Sequence, residues 1–258
     1  MIILLHSSKT MKTAPTNSKM QPPQLISKSA ELGNFLKKLS VKQVGASMKL
    51  SPAMAQKTYD LIQSWSTDPN KQSLAIDTFK GDIFSGLQAQ SLTAKDRDYA
   101  NKTLVFLSGL YGLIQPYDGI MPYRVEMAYK FPKPYDNLYN YWGKDIADLM
   151  PSSGLIVNVS SVEYSKTITP YVDASRIITP QFFTVSPKTD EPTFVTVHSK
   201  IARGAFARWL ITSRAEDEES MQGFDLLGYA YDAERSTPGQ PAYVTEEFGG
   251  IGLSIRLQ

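Results

Sequence analysis

The sequence contains no cysteine among its 258 residues. A chain without thiols can form no disulfide, thiol peroxidase centre, redox-sensing thiol, cysteine-ligated zinc or iron–sulfur site. Only two histidines are present, His6 and His198, and neither belongs to a metal-binding pattern such as HExxH. We therefore expect no bound metal and no cofactor, with a magnesium site made of carboxylates as the one metal site that stays open.

Long hydrophobic runs are also missing. The opening run MIILL is only five residues long, too short for a signal-peptide core or a membrane span, and no later run reaches membrane length. We expect a cytoplasmic protein that makes no membrane contact. The net charge of +2 excludes a polycation of the histone type, so any contact with nucleic acid requires a local cluster of cations.

The periodicity of the apolar residues predicts a mixed α/β (α+β) protein. With 42% hydrophobic residues, the chain has an ordinary globular composition and fits a single compact domain over 1–258. We expect a mixed sheet surrounded by helices. The predicted helices cover 27–39, 41–48, 52–65, 93–102, 136–150 and 199–214, and the strands cover 2–5, 103–107, 155–159, 176–185 and 193–199, with closing strands around a turn at 236–240.

Two short predicted helices near the N-terminus are joined by a tight connection, within 41–65. Gly45 lies in this segment, and Lys42, Lys49 and Lys57 flank the connection. The arrangement resembles a helix-hairpin-helix, which binds DNA phosphates through backbone N–H groups and nearby cations. The usual Gly-x-Gly hairpin is missing, so an ordinary helical pair packed on the core is the alternative.

Polar side chains follow three predicted strands at the point where each strand ends. Lys9 follows the first strand within a hydroxyl-rich segment, a Ser-Gly-Leu-Tyr-Gly turn follows the second, and Glu163, Tyr164 and Lys166 follow the third. Ligands of α/β proteins often bind at the carboxyl ends of strands. These residues predict a shared polar site, and a solvated loop is the alternative for the first of them.

The segment 79–127 combines glycines with charges in an apolar setting. Lys80, Asp82, Arg124 and Glu126 stand among large hydrophobic residues, and burying a charge without a partner is costly. Two residues apart on a strand, the members of Lys80–Asp82 and of Arg124–Glu126 would share a face. Such pairs either position a phosphate or tune an acid or base, or they form a buried structural network.

The predicted helix 199–214 is amphipathic and basic. Its apolar arc faces away from Lys200 and Arg203. The cations either contact an anionic partner or meet solvent and the acidic run at 216–219.

Several blocks in the right order resemble the YaaA family of bacterial peroxide-stress proteins. The opening Ser-Pro-Ala-Lys-Thr pattern is altered at His6, Ser7 and Ser8, although Lys9 and the following threonine are kept. The remaining family-like blocks are Phe79-Lys80-Gly81-Asp82, Leu107 to Gly112, Pro122 to Met127, Tyr141-Trp142-Gly143, Asn158 with Ser161, Glu163 and Tyr164, and Lys200-Ile201-Ala202-Arg203-Gly204.

The resemblance implies a compact α/β fold, a helix-hairpin-helix-like element beside a cationic cleft, DNA binding, and protection against peroxide damage linked to intracellular iron. It implies no reaction. Asp82, Glu126, Glu163 and Tyr164 would form a polar network in the cleft. The candidate nucleic-acid-binding residues are Lys9, Lys42, Gly45, Lys49, Lys57, Lys80, Arg124, Lys166, Lys200 and Arg203.

Three hypotheses follow from the residues and the resemblance. The first is a monomeric DNA-binding protein that holds duplex or distorted DNA, without sequence preference, through phosphates. The second is an enzyme acting on a nucleotide or nucleic-acid component at Lys80, Asp82, Arg124 and Glu126, or a site for a small phosphorylated ligand. The third, direct iron sequestration, is disfavoured by the shortage of histidine and cysteine.

Overall fold

A five-stranded sheet and a four-stranded sheet form the framework of the protein, in a computed structural model that describes residues 1–15 and 19–249. The mixed α/β class expected from the sequence is thereby confirmed. The strands in chain order are β1 (Ile2–His6), β2 (Thr10–Met11), β3 (Ser73–Leu74), β4 (Phe79–Lys80), β5 (Leu104–Ser108), β6 (Gly112–Ile114), β7 (Gly119–Ile120), β8 (Ile156–Asn158), β9 (Ile177–Ile178), β10 (Gln181–Val185), β11 (Pro192–Thr193), β12 (Ala230–Thr237) and β13 (Gln240–Thr245).

Several helices begin where the sequence supplies a cap. Ser40 and Gln43 form a reciprocal capping box, the Thr93 hydroxyl accepts from the backbone N–H of Asp96, and Pro52 occupies a first helical position. The helices are α1 (Ile26–Leu36), α2 (Val41–Met48), α3 (Pro52–Ser64), α4 (Ala75–Thr78), α5 (Asp82–Leu87), α6 (Ala94–Thr103), α7 (Leu138–Trp142), α8 (Val162–Ser165), α9 (Thr196–Ser213) and α10 (Glu218–Met221).

The strand order of the larger sheet, β6-β5-β1-β8-β9, creates a switch point at its middle strand. Strand β1 is buried on both faces and pairs in parallel with β5 on one side and β8 on the other. After β1, the chain therefore adds β5 on one side of β1 and later adds β8 on the other side. In open α/β sheets, a crevice for ligands forms at the carboxyl ends of the strands at such a point.

The single helix predicted over 136–150 is wrong. Helix α7 ends at Trp142 because Gly143 adopts φ 52°, and only a short 3-10 turn, Ala147–Leu149, follows. A positive φ favours glycine and stops an α-helix. The apolar spacing does mark buried residues, since Leu138, Trp142 and Ile146 are all fully buried. Leu138 and Trp142 lie in α7, whereas Ile146 lies just before the 3-10 turn.

The strand boundaries near the second sheet also differ from the prediction. The predicted strand 176–185 is divided at Pro180 into β9 and β10, which belong to different sheets. The predicted antiparallel neighbour at 193–199 is confirmed only as the short β11, because helix α9 already begins at Thr196. The closing strands of the tail are confirmed as β12 and β13, which pair in antiparallel orientation.

Glycine–backbone contacts hold the two helices α5 and α9 together. A Cβ atom on Gly86 would lie 2.0 Å from the carbonyl oxygen of Ile201, and one on Gly204 would lie 1.7 Å from that of Ile83. Only glycine permits so close an approach. This contact places the basic start of α9 beside the start of α5 and so fixes one wall of the site described next.

Candidate functional site

A polar cleft of about 340 Å³ opens at the carboxyl ends of β1 and β8, where the strand order predicts a crevice. Its size falls within the range of small-molecule sites. Residues from five segments of the chain form its walls. They are His6, Ser7, Ser8, Lys9, Gly81, Asp82, Ile83, Phe84, Glu126, Ser161, Glu163, Tyr164 and Lys200.

The cleft is not the cationic surface that the sequence suggested. Two lysines line it, Lys9 and Lys200, but so do three carboxylates, Asp82, Glu126 and Glu163. A chain of phosphates entering the cleft would meet three carboxylates beside the two lysines. All four members of the predicted polar network do lie in this cleft, since Tyr164 lines it as well.

Glu126 is a largely buried carboxylate of this cleft. Its side chain is 13% exposed, and its Oε2 lies 3.5 Å from Nζ of Lys9. Burial raises the pKa of the Glu126 carboxyl, Lys9 opposes that rise, and nearby Glu163 adds to it. Glu126 therefore holds its proton more strongly than an ordinary glutamate, as a general acid would.

The second carboxylate, Glu163, is fixed against the same segment. Its Oε1 accepts a hydrogen bond of 3.0 Å from the backbone N–H of Ala128. Tyr164, the next residue, is fully buried, and burial raises the pKa of its hydroxyl well above the ordinary value. Its hydroxyl therefore stays protonated and can donate a hydrogen bond at any physiological pH.

His6 is a cleft residue that the sequence reasoning did not select. Its Nδ1 accepts a hydrogen bond of 3.1 Å from the backbone N–H of Ser161, and its ring stacks on Tyr164 at 5.1 Å between centroids. Burial, with smaller effects of Arg203 and Lys200, lowers the pKa of His6 to about 3. The ring is therefore neutral and carries its hydrogen on Nε2. Its position as the last residue of a buried strand was the available signal.

The altered opening segment folds back onto the segment before α5. The Ser8 hydroxyl donates to the carbonyl oxygen of Lys80 and accepts from the backbone N–H of Thr10 at 3.0 Å. Ser7 is buried, and its hydroxyl lies 3.5 Å from that of Tyr164. Both serines thus take part in local hydrogen bonds at the floor and edge of the cleft.

The predicted charge pairs are wrong as pairs. Among residues 1–15 and 19–249, neither Lys80–Asp82 nor Arg124–Glu126 forms a salt bridge, and the partner of Glu126 is Lys9 instead. Strand β4 ends at Lys80 and α5 begins at Asp82, so the two side chains do not alternate along one strand. Lys80 lines a neighbouring cavity of about 650 Å³.

The other candidate cations are placed in different surroundings. Arg203 is half-buried and does not line the cleft; its Nη1 donates to the carbonyl oxygen of Ser160 at 3.3 Å, and burial lowers its pKa. Lys166 is exposed after α8. Arg124 is half-buried, and its Nε has no hydrogen-bond partner within the described part of the chain. The predicted basic residues therefore do not converge on one open surface.

The helical hairpin α2–α3 is present, with a connection of three residues, and lies apart from the residues that line the cleft. Lys49 ends α2 with φ 53°, and Lys42, Lys49 and Lys57 are all exposed. Gly45 lies inside α2, where a Cβ would meet the Cβ of Ala55 at 3.1 Å. Its observed role is therefore helix packing.

Within 1–15 and 19–249, no three histidine, aspartate or glutamate side chains are grouped so that they could hold a metal ion. The same part of the chain contains no helix that is both long and apolar enough to cross a membrane.

The fold and the cleft together define an α/β protein with a polar, ligand-sized crevice at the switch point of its parallel strands. The sequence model of the family described as "Peroxide stress protein YaaA" matches residues 1–235. The chain belongs to this YaaA family, as its sequence blocks suggested.

Curated relatives support the same assignment over nearly the full length. A UPF0246 protein of Salinispora tropica is 50% identical over 258 residues, which cover 99% of this chain and 98% of that protein. A UPF0246 protein of Marinomonas sp. is 35% identical over 256 residues, covering 96% and 98%. One of Burkholderia pseudomallei is 34% identical over 249 residues, covering 92% and 95%. These names state no activity.

Proposed function

We propose that this protein takes part in the peroxide-stress response by binding DNA, without sequence preference, through phosphate contacts. One observation carries the proposal. Residues 32–59 contain five lysines and no aspartate or glutamate. This lysine-rich hairpin surface comprises the residues after α1, helix α2 and the first half of α3, with Lys37, Lys38, Lys42, Lys49 and Lys57, and Asp60 in the second half of α3 is the next carboxylate along the chain.

The exposure of these lysines and their lack of salt bridges favour an anionic partner. Within 1–15 and 19–249, none of the six recorded salt bridges involves a lysine of the hairpin surface. All of them except the half-buried Lys37 are exposed. Unpaired, exposed ammonium groups release counterions when they meet phosphates, which supplies affinity independent of base sequence.

The start of α3 adds hydrogen-bond donors to the same surface. Ser51 stands at the N-cap, but its side chain makes no capping hydrogen bond, and Pro52 follows. The backbone N–H groups of the first turn therefore have no side-chain cap, and a helix N-terminus of this kind suits a phosphate oxygen. Lys49 and Lys57 belong to the adjoining turns.

Phosphate binding offers a physical link to iron and peroxide. Ferrous ions bind to DNA through the phosphates, and lysines that occupy those phosphates displace bound cations. In this proposal, the protein keeps iron away from the DNA backbone and so limits oxidation at that site. The cleft cations Lys9 and Lys200 contribute less, because carboxylates share their surroundings.

The test is the salt dependence of binding to a fluorescent duplex of mixed sequence. We expect the triple variant Lys42→Ala, Lys49→Ala, Lys57→Ala to flatten the slope of log K against log salt by about 3, at about 0.9 per phosphate contact. A matched control replaces three other exposed lysines, Lys71, Lys95 and Lys188, and should keep the slope. Wild-type protein that fails to bind at low salt would refute the proposal.

A further inference from the structure

The cleft has a part lined by Lys200 and a part lined by Glu163 and the Lys9–Glu126 pair, and Asp82 is its third carboxylate. In the first part, α9 brings Lys200 and the partly buried Arg203 beside His6 and the backbone of Ser160. In the second, the backbone at Ala128 holds Glu163 next to Glu126. Burial is the main cause of the lowered pKa of His6 and of the raised pKa of Glu126. Arg203 and Lys200 add to the shift of His6, whereas Lys9 opposes the shift of Glu126 and Glu163 adds to it.

Each part also has a charged group that lacks an ionic partner. Within residues 1–15 and 19–249, neither Lys200 nor Glu163 takes part in a salt bridge, although both line the cleft. The neutral His6, whose Nδ1 is already occupied by Ser161, keeps an N–H on Nε2 for a ligand. An anion would be attracted by Lys200 but repelled by Glu163. A cation would be attracted by Glu163 but repelled by Lys200.

We propose that the cleft binds a small amino carboxylate, with its carboxylate at Lys200 and His6 and its ammonium group at Glu163. Such a zwitterion complements both parts of the cleft at once. The volume of about 340 Å³ suits a molecule of that size. The cleft shares no residue with the hairpin surface, so amino carboxylate binding and DNA binding can be tested separately.

The experiment measures the melting temperature of the full-length protein with a pool of the twenty free L-amino acids, followed by each amino acid alone. Sodium acetate and methylammonium chloride, at matched concentration, supply the carboxylate and ammonium groups separately. We expect a saturable rise in melting temperature with at least one amino acid, because a ligand that binds only the folded state stabilises it. Neither half-ligand should reproduce the rise.

Two cleft variants locate the binding. Lys200→Ala and Glu163→Gln should each weaken the affinity about tenfold or more, as expected for loss of a charge-assisted hydrogen bond. The control Lys166→Ala removes an exposed lysine outside the cleft lining and should bind as the wild type does. Glu163→Gln should also leave the salt slope of DNA binding unchanged.

Three results would overturn the proposal. They are the absence of any rise with the twenty amino acids, an equal rise with acetate or methylammonium alone, and a rise that persists undiminished in both cleft variants.

Discussion

The helical hairpin and the cleft both present lysines, but their surroundings are opposite. On the hairpin surface, every lysine except the half-buried Lys37 is exposed, and no carboxylate occurs between residues 32 and 59. In the cleft, Lys9 is 3.5 Å from Glu126, and Asp82 and Glu163 line the same walls. The charges that surround a lysine therefore determine which ligand it can bind. An unopposed lysine suits a phosphate, whereas a lysine among carboxylates suits a dipolar ligand.

The substitution with the largest expected effect disturbs the cleft and leaves the hairpin surface intact. Gly204→Ala puts a Cβ within 1.7 Å of the Ile83 carbonyl oxygen and should force α9 away from α5. We expect a loss of about 3 kcal/mol in the free energy of unfolding, measured by urea denaturation. Where the variant remains folded, its DNA salt slope should match the wild type.

Gly223→Ala is the matched control, because its new Cβ would meet the Ser220 carbonyl oxygen at 3.3 Å and its φ is not positive. It should cost less than about 1 kcal/mol. Equal destabilisation by both substitutions would contradict the role given to the α5–α9 contact.

The second effect is the pH dependence that His6 contributes from the cleft. The pKa of His6 is lowered from 6.5 to about 3, so the unfolded chain binds more protons between those values and stability falls as the pH falls through that window. Between pH 7 and pH 5, His6 should remove about 2 kcal/mol from the free energy of unfolding.

The variant His6→Asn keeps an acceptor for Ser161 and should lose that component, as compared by urea denaturation at both pH values. His198→Asn is the comparison, because His198 lies outside the cleft and burial lowers its pKa as well, so this variant measures the pH dependence that arises elsewhere. An unchanged pH dependence in His6→Asn would show that His6 is protonated in the folded cleft.

A smaller effect concerns Glu126. Burial raises the pKa of Glu126, so its charged form is costly and its stabilising share is lost as the pH rises above the usual glutamate value. Glu126→Gln should therefore change stability at pH 7 by less than about 1 kcal/mol. Lys9→Met in the same measurement should cost more, because it leaves Glu126 buried without its cation. The reverse order would mean that Glu126 is stabilised by its charge.

The smallest effect on stability is expected at the hairpin surface. Lys57 is exposed in α3, and Lys57→Ala should alter the free energy of unfolding by no more than about 0.5 kcal/mol. The same variant should reduce the DNA salt slope by about 0.9, measured by fluorescence anisotropy. A folded variant with an unchanged slope would place Lys57 outside the DNA contact.

Local patterns predicted much of the fold. The apolar run at residues 2–5 and the capping residue Thr93 gave β1 and α6 with little error. The prediction failed where one residue redirected the chain, as at Gly143 and Pro180, because apolar periodicity records burial and not the path of the backbone.

The sequence predicted which residues line the cleft better than it predicted which of them form ion pairs. Glu126, Glu163 and Tyr164 do share the cleft, but the partner of Glu126 is Lys9, 117 positions away in the chain. A spacing of two residues predicts a shared face only inside a strand, and residues 122–126 form none. The sheet topology that joins β1 to β8 and the glycine contact between α5 and α9 set these neighbours, and neither can be read from local sequence.

The most direct test compares the two regions in one assay. The salt slope of duplex binding is measured for the hairpin variant Lys42→Ala, Lys49→Ala, Lys57→Ala and for the cleft variant Lys9→Ala, Lys200→Ala. We predict a slope lower by about 3 in the hairpin variant and a nearly unchanged slope in the cleft variant. A cleft variant that loses the slope, beside a hairpin variant that keeps it, would contradict the account.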